Sequence, residues 1–84
     1  MNGLIEQRGH INASTSDSVV VTFYVQFNSS DSYSVVALNT KYDGTQRDVL
    51  RITVKNYNNM TVQDYQITSG SSDMKGADWI VKGY

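Results

Sequence analysis

The chain has 84 residues, seven of them basic and eight acidic, for a formal net charge of -1, with no Cys and a single His. That composition excludes disulfides and thiolate metal sites, disfavours an all-protein zinc site, and leaves the cations too scattered for a nucleic-acid footprint. A single domain of this length buries only a small core, so with the other usual staples missing, association of subunits is the expected stabiliser.

No apolar run approaches the length of a membrane span or a signal peptide. Residues 1–84 read as one domain, either a product in its own right or a piece of a longer chain. Val, Ile, Thr and Tyr are abundant, there are six Tyr and no Pro, and Ser and Asn punctuate the apolar runs. This is the palette of an all-β protein whose strands are all free to donate hydrogen bonds.

In chain order, residues 4–11 form a first strand, with Leu4, Glu6, Arg8 and His10 on one face and Ile5, Gln7, Gly9 and Ile11 on the other. Neither face is purely apolar, which suits an edge strand or one packed on a neighbouring subunit. After a polar turn, residues 19–27 carry the strongest alternation, with Val19, Val21, Phe23, Val25 and Phe27 on a single apolar face. A face like that needs a second sheet to cover it. Tyr24 lies opposite and is a candidate for contact with a subunit or a ligand.

Residues 33–40 form a strand with Tyr33, Val35 and Ala37 on one side and Val36 and Leu38 on the other. Apolar groups on both sides predict a central strand, or one whose outer face another subunit covers. A loop over 41–48 has its turn at Asp43-Gly44. The strand over 49–56 places Leu50, Ile52 and Val54 in the core and Arg51, Thr53 and Lys55 in solvent. Residues 57–59 make a short turn, where Asn tolerates left-handed geometry. In the strand over 60–68, Met60 and Val62 share one parity and Tyr65 and Ile67 the other, so a bulge near Gln63-Asp64 is expected to turn all four inward.

Residues 69–77 are the longest polar loop. The last strand, 78–84, alternates Trp79, Val81 and Gly83 against Ile80, Lys82 and Tyr84. The first set is expected inside and the second against a partner subunit. Six strands joined by connections of roughly 3 to 9 residues, with no helix, predict an antiparallel β-sandwich.

Few residues carry chemistry. His10 has no Ser or Cys placed by sequence to be its nucleophile, so no catalytic residue is assigned and the chain is read as a non-enzyme. The seven Asp residues sit mostly in or beside loops, where turn hydrogen bonding is their ordinary role, and no calcium-loop motif gathers them. No metal or other cofactor is expected. Three matches to the glycosylation pattern, beginning at Asn12, Asn28 and Asn59, are discounted in a chain so rich in Asn, Ser and Thr. The excess tyrosines are more informative, because Tyr24, Tyr33, Tyr42, Tyr57 and Tyr84 cannot all fit in so small a core. Their rings suit subunit contacts, turn packing or amphipathic ligands.

Several blocks then share one order with a known family. Gly3-Leu4-Ile5-Glu6-Gln7-Arg8-Gly9 resembles the opening G-L-hydrophobic-x-Q-W-G strand of the small C-terminal domains of bacteriophage tail fibres. Val19 to Phe27 is similar to their Val/Thr run ending in F-P-hydrophobic-x-F. Ser32-Tyr33-Ser34-Val35-Val36 resembles their P-Y-S-V strand, Asn59-Met60-Thr61-Val62 their G-F-T-hydrophobic strand, and Trp79 to Tyr84 their terminal W-I-A-I-G-Y. The resemblance implies a six-stranded β-sandwich like the H-type lectins. It also implies a homotrimer at the distal end of a fibre or tailspike, part of the virion and made in the host bacterial cytoplasm, that contacts a bacterial surface glycan such as lipopolysaccharide. Arg8, Tyr24 and Lys82 depart from the family's Trp, Pro and apolar residue, and make the first and last strands more polar.

Two functions compete. A receptor-binding tip predicts a ligand site drawn from Tyr42, Asp43, Arg47, Tyr57, Asn58, Ser71, Asp73 and Lys75. A trimerisation or folding cap without ligand predicts burial between subunits instead. Both place Leu4, Glu6, Arg8, Tyr24, Ile80, Lys82 and Tyr84 at a subunit interface. A polysaccharide depolymerase, the third reading, lacks an organised acid pair.

Overall fold

The computed structural model describes residues 3–39, 48–66, 70–71 and 73–84, with the backbone alone described at 39, 48, 66, 70 and 71. Among them the regular elements are all strands: β1 Ile5–Ile11, β2 Ser18–Thr22, β3 Tyr33–Asn39, β4 Asp48–Lys55, β5 Asn59–Gln66, β6 Gly70–Ser71 and β7 Ala77–Gly83. The six long strands are those predicted, and the two-residue β6 falls inside the predicted 69–77 loop. All pairings are antiparallel, in one sheet of order β1-β7-β3 and a second of order β2-β5-β4 with β6 also on β5.

Alternation on each strand gives each sheet one apolar face, and the two faces share a core. Ile11, Trp79 and Val81 come from the first sheet, Val21, Met60 and Val62 from the second, and Phe23, Phe27, Tyr33 and Met74 fill between them. Phe23 is the hub of the aromatic packing. Its ring meets Phe27 at 5.3 Å and Tyr33 at 5.2 Å, both edge to face, and lies 6.2 Å from Trp79. Phe27 stacks on Tyr33 at 4.5 Å.

The last strand divides as its parity predicts. Ala77, Trp79, Val81 and Gly83 are buried, while Asp78, Ile80, Lys82 and Tyr84 are exposed. It is the centre of its sheet, pairing with β1 on one side and β3 on the other over its full length.

Four expectations are corrected. The predicted strand over 19–27 ends at Thr22, and Val25 lies half exposed instead of in the core. The cause is Gln7, a buried amide on β1. Its Oε1 accepts from the N–H groups of Tyr24 and Val25 at 2.8 and 3.1 Å, and its Nε2 donates to the Val25 carbonyl at 2.7 Å. These three bonds pull residues 24–25 out of the second sheet and across to the first. Phe23 and Phe27 stay buried on either side of the excursion, with their N–H groups donating to Asn58 O and Tyr57 O. Second, β3 is an edge strand of its sheet, not a central one.

Third, the bulge expected at Gln63-Asp64 lies on β4, between Ile52 and Val54. The extra residue reverses the strand's parity, so Val54 pairs with Thr61 on the outside and Lys55 with Met60 on the inside. Val54 is therefore exposed, and the Lys55 ammonium sits 4.3 Å from the Tyr33 ring centre and donates to the Tyr33 carbonyl at 2.5 Å. On the unbulged β5, Asp64 takes the inward position beside Met60 and Val62, fully buried, and accepts from the Lys75 N–H at 3.3 Å. Tyr65 faces outward, and Ile67 lies outside the described residues. Fourth, the turn over 56–59 needs no left-handed Asn, since among the described residues only Gly76 has positive φ. Asn56 and Asn59 bond to each other through backbone and side chain, both at 2.9 Å.

Tyr33 offers a check on this packing. Its hydroxyl donates to Asn56 O at 2.7 Å and Asn59 O at 3.3 Å, and burial pushes its phenol above the ordinary value of 10.0. Because the folded pKa is the higher one, Tyr33 favours the folded state below about pH 10, and this contribution is lost as pH rises through the folded pKa. Alkaline titration followed by tyrosinate absorbance should show one tyrosine ionising after the others. In Tyr33→Phe that late phase should be gone; its persistence would assign it to another residue.

Candidate functional site

Three exposed regions are positioned by the two sheets. The first is the outer face of β1-β7-β3, where register sets the side chains in rows. Glu6, Lys82 and Ser34 form one row, Arg8, Ile80 and Val36 the next, and His10, Asp78 and Leu38 the third. The β1 column is charged or polar, and the β3 edge carries apolar side chains, with Val36 55% and Leu38 65% exposed and Ile80, 37% exposed, between the columns. Glu6 gathers both cations that the sequence singled out, Arg8 at 2.7 Å and Lys82 at 3.9 Å. The hydrogen bond and charge of Arg8, with a smaller share from Lys82, hold the Glu6 carboxyl below its usual range. His10 Nδ1 and Asp78 Oδ1 pair at 2.7 Å in the third row.

The second region is the end of the sandwich where the chain terminates. Gly83 pairs with Ile5 and with Tyr33, which brings Leu4, Tyr84 and the turn over 28–32 together. The Tyr84 carbonyl accepts from the Asn28 N–H at 2.8 Å and from the Ser32 hydroxyl at 2.7 Å, and its N–H donates to Ser32 O at 3.0 Å. The bond from Phe27 N–H to Tyr57 O, 2.8 Å, adds the turn over 56–59 to this end. Three tyrosines face solvent here: Tyr24 at 83% exposure, with Tyr57 and Tyr84 half exposed, alongside Leu4 and Val25.

The opposite end carries the polar loops. Ile11 pairs with Ala77, Asp48 with Gln66 and Tyr65 with Ser71 there. The loops over 12–17 and 73–76 are tied by Ser14 N–H to Met74 O and Met74 N–H to Ser16 O, each 2.9 Å. Met74 is buried beneath them, although its polar neighbours concealed it in the sequence.

The sequence-predicted ligand residues therefore divide. Tyr57 and Asn58 sit at the tyrosine end, while Ser71, Asp73 and Lys75 sit at the other, separated by the length of β5, about 20 Å. One chain does not bring the two groups into a single site. Asp73 is exposed and Lys75 partly buried, its Nζ 3.5 Å from Asp73 O. Tyr42, Asp43 and Arg47 lie outside the described residues. Among the predicted interface residues, Glu6, Arg8, Ile80 and Lys82 share the outer face of the first sheet, and Leu4, Tyr24 and Tyr84 gather at the tyrosine end. Gln7 and Asp64, the two buried polar residues that organise the loops, gave no signal beyond a polar group at an inward-facing position. No group of acidic residues, His or Cys among the described residues is arranged to hold a metal ion.

Paired antiparallel sheets around one core, with a half-apolar outer face and an aromatic end, define an all-β module of the sandwich kind. The family described as "Putative tail fiber protein gp53-like, C-terminal" matches residues 1–84, the whole chain. The chain belongs to this family of phage tail-fibre C-terminal domains and is a virion component of that class. Comparison with curated proteins and with solved structures found no match.

Proposed function

We propose that this domain is the receptor-binding tip of a phage tail fibre, that it works as a homotrimer at the fibre's distal end, and that its receptor is a bacterial surface glycan, bound without catalysis. The observation that carries the reading is the gathering of Tyr24, Tyr57 and Tyr84 at one solvent-facing end. Exposed tyrosines bury large amphipathic area at little conformational cost, which suits the C–H faces and hydroxyl edges of sugars. Three copies around one axis would present three such ends, and avidity would turn weak single contacts into firm attachment.

The outer face of β1-β7-β3 supplies the trimer contact. Taking a Val, Leu or Ile from full exposure to full burial is worth about 1.5–3 kcal/mol, and Val36, Leu38 and Ile80, already partly buried, would each add roughly half of that. The charged β1 column beside them suits another copy's complementary charges. This face also favours the alternative of a trimerisation cap without ligand, a reading under which the tyrosines bind nothing.

One measurement tests the trimer common to both readings, and a second separates them. Light scattering should give a trimer at micromolar concentration. Val36→Glu with Leu38→Glu, at two exposed positions, should give a folded monomer with an unchanged far-ultraviolet spectrum. A monomeric parent protein would end the trimer proposal. The trimer should adsorb to some strains of a bacterial panel, and Tyr24→Ala with Tyr57→Ala should weaken adsorption at least about tenfold. A folded trimer that adsorbs to no strain leaves the cap as the function.

A further inference from the structure

β1 and β2, edge strands of different sheets, flank a gap between the sheets. At Gln7 the backbone of residues 24–25 closes it. Toward the loop end it is open, forming a shallow cleft of about 430 Å³ lined by His10, Ile11, Asn12, Ser14, Val21 and Trp79, among others. The accessible apolar surface comes from Ala13 and Val20, both exposed, with Ile11, Val21 and the Trp79 indole buried behind them and the indole packed beneath Gly9. The rim is polar and its hydrogen-bonding capacity can be read atom by atom.

Asp78 accepts at His10 Nδ1, 2.7 Å away, so in the neutral imidazole the proton sits on Nδ1 and Nε2 is left as an acceptor. The Ser14 hydroxyl oxygen accepts from the Ser16 N–H at 3.1 Å, which leaves its own O–H to donate. The Asn12 side chain, on an exposed residue, offers both a donor and an acceptor.

We propose that this cleft is a saccharide subsite that takes one pyranose unit of the receptor glycan, separate from the tyrosine end. A pyranose has one face rich in C–H groups and a rim of hydroxyls that both donate and accept, and the cleft offers a partner to each. The proposal rests on the glycan reading above. It adds a second point of contact, placed so that one branched or repeating chain meets the tip in two places.

Trp79 is the only Trp in the chain and lies in the cleft, so its fluorescence reports directly on occupancy. The trimeric domain would be titrated with methyl glycosides of glucose, galactose and N-acetylglucosamine, and with isolated lipopolysaccharide. At least one probe should change Trp79 emission saturably, with millimolar half-saturation for a single sugar. Asn12→Ala and His10→Ala should each weaken the response about tenfold, a loss equivalent to one hydrogen bond to a well-held group. Ala13→Phe, at an exposed position on the cleft, should abolish it. Thr53→Ala, at an exposed position on β4, should leave it unchanged.

A response that survives Ala13→Phe would place the sugar elsewhere and overturn the proposal. So would the absence of a saturable response to all four probes in a domain that still adsorbs to bacteria, and in that case the glycan-tip reading would stand. Loss of both the response and the adsorption would overturn the two together.

Discussion

Gly83→Ala should strongly destabilise the folded domain. A methyl group at this position would collide with the Ser32 carbonyl oxygen and lie 2.5 Å from the Tyr33 Cα. Both are backbone atoms held by the pairing of Gly83 with Tyr33 and by the Tyr84 bonds to Ser32, so no flexible side chain can move aside. Relief requires the end of β7 to leave β3. The expected cost is about 3 kcal/mol or more, at the upper end for overpacking. A domain of this length holds about 4–13 kcal/mol in all. Thermal unfolding should show Tm lower by at least roughly 12 °C, or no cooperative transition. A Gly83→Ala protein that melts like the parent would mean that β7 does not approach the 28–33 segment as described.

Trp79→Ala should be comparably damaging, for the opposite reason. Its ring is buried in the centre of β7, next to Phe23 and directly beneath Gly9. Truncation leaves a cavity among residues fixed by two flanking strands, and large-to-small changes of this kind cost about 3–5 kcal/mol. Gly9 is bare because the indole occupies the space: a methyl there would lie 2.5 Å from the ring. Gly9→Ala should therefore destabilise as well, by about 1–3 kcal/mol, since a side chain can shift where a backbone cannot. In the double variant, Ala at position 9 would project into the space the indole has left. The pair should then cost less than the sum of the single changes in urea unfolding. Simple additivity would mean the two residues do not touch.

The legible part of this fold was the part governed by alternation. Six strands, the inward set on β7 and the two-sided character of β3 all follow from a period of two, which a lone sequence displays. The reading of residues 19–27 as a single strand failed because its apolar positions continue past the point where the chain leaves the sheet. Only the Gln7 amide, far away in sequence, marks that point. The bulge was expected on the wrong partner for a similar reason. A shift that turned Tyr65 and Ile67 inward looked necessary from β5 alone, yet Asp64 takes the inward position, where a backbone N–H from the 73–76 loop reaches its carboxyl group. Val54 and Lys55 then exchanged sides on β4, a reversal that no local pattern announces.

The candidate site was less legible than the fold. Tyrosine excess was visible in composition, but which tyrosines face out depended on packing: Tyr33 went to the core, and Tyr24, Tyr57 and Tyr84 came to one end. The loop residues suspected of acting together sit at both ends of the sandwich, because adjacent antiparallel strands send successive loops to alternate ends. The cleft at His10 went unseen, since it is made from the edges of two strands in different sheets.

What the sequence determined by itself was the strand content, the inward and outward sets of β2 and β7 and, through its order of motifs, the tail-fibre family. Those properties are carried by nearest neighbours and by side-chain type. Tertiary structure alone decided where strands stop, which residue is bulged, which polar groups are buried and which exposed groups meet. These outcomes depend on hydrogen bonds and close approaches between residues far apart in the chain, and their energies do not exist until the two sheets close on each other.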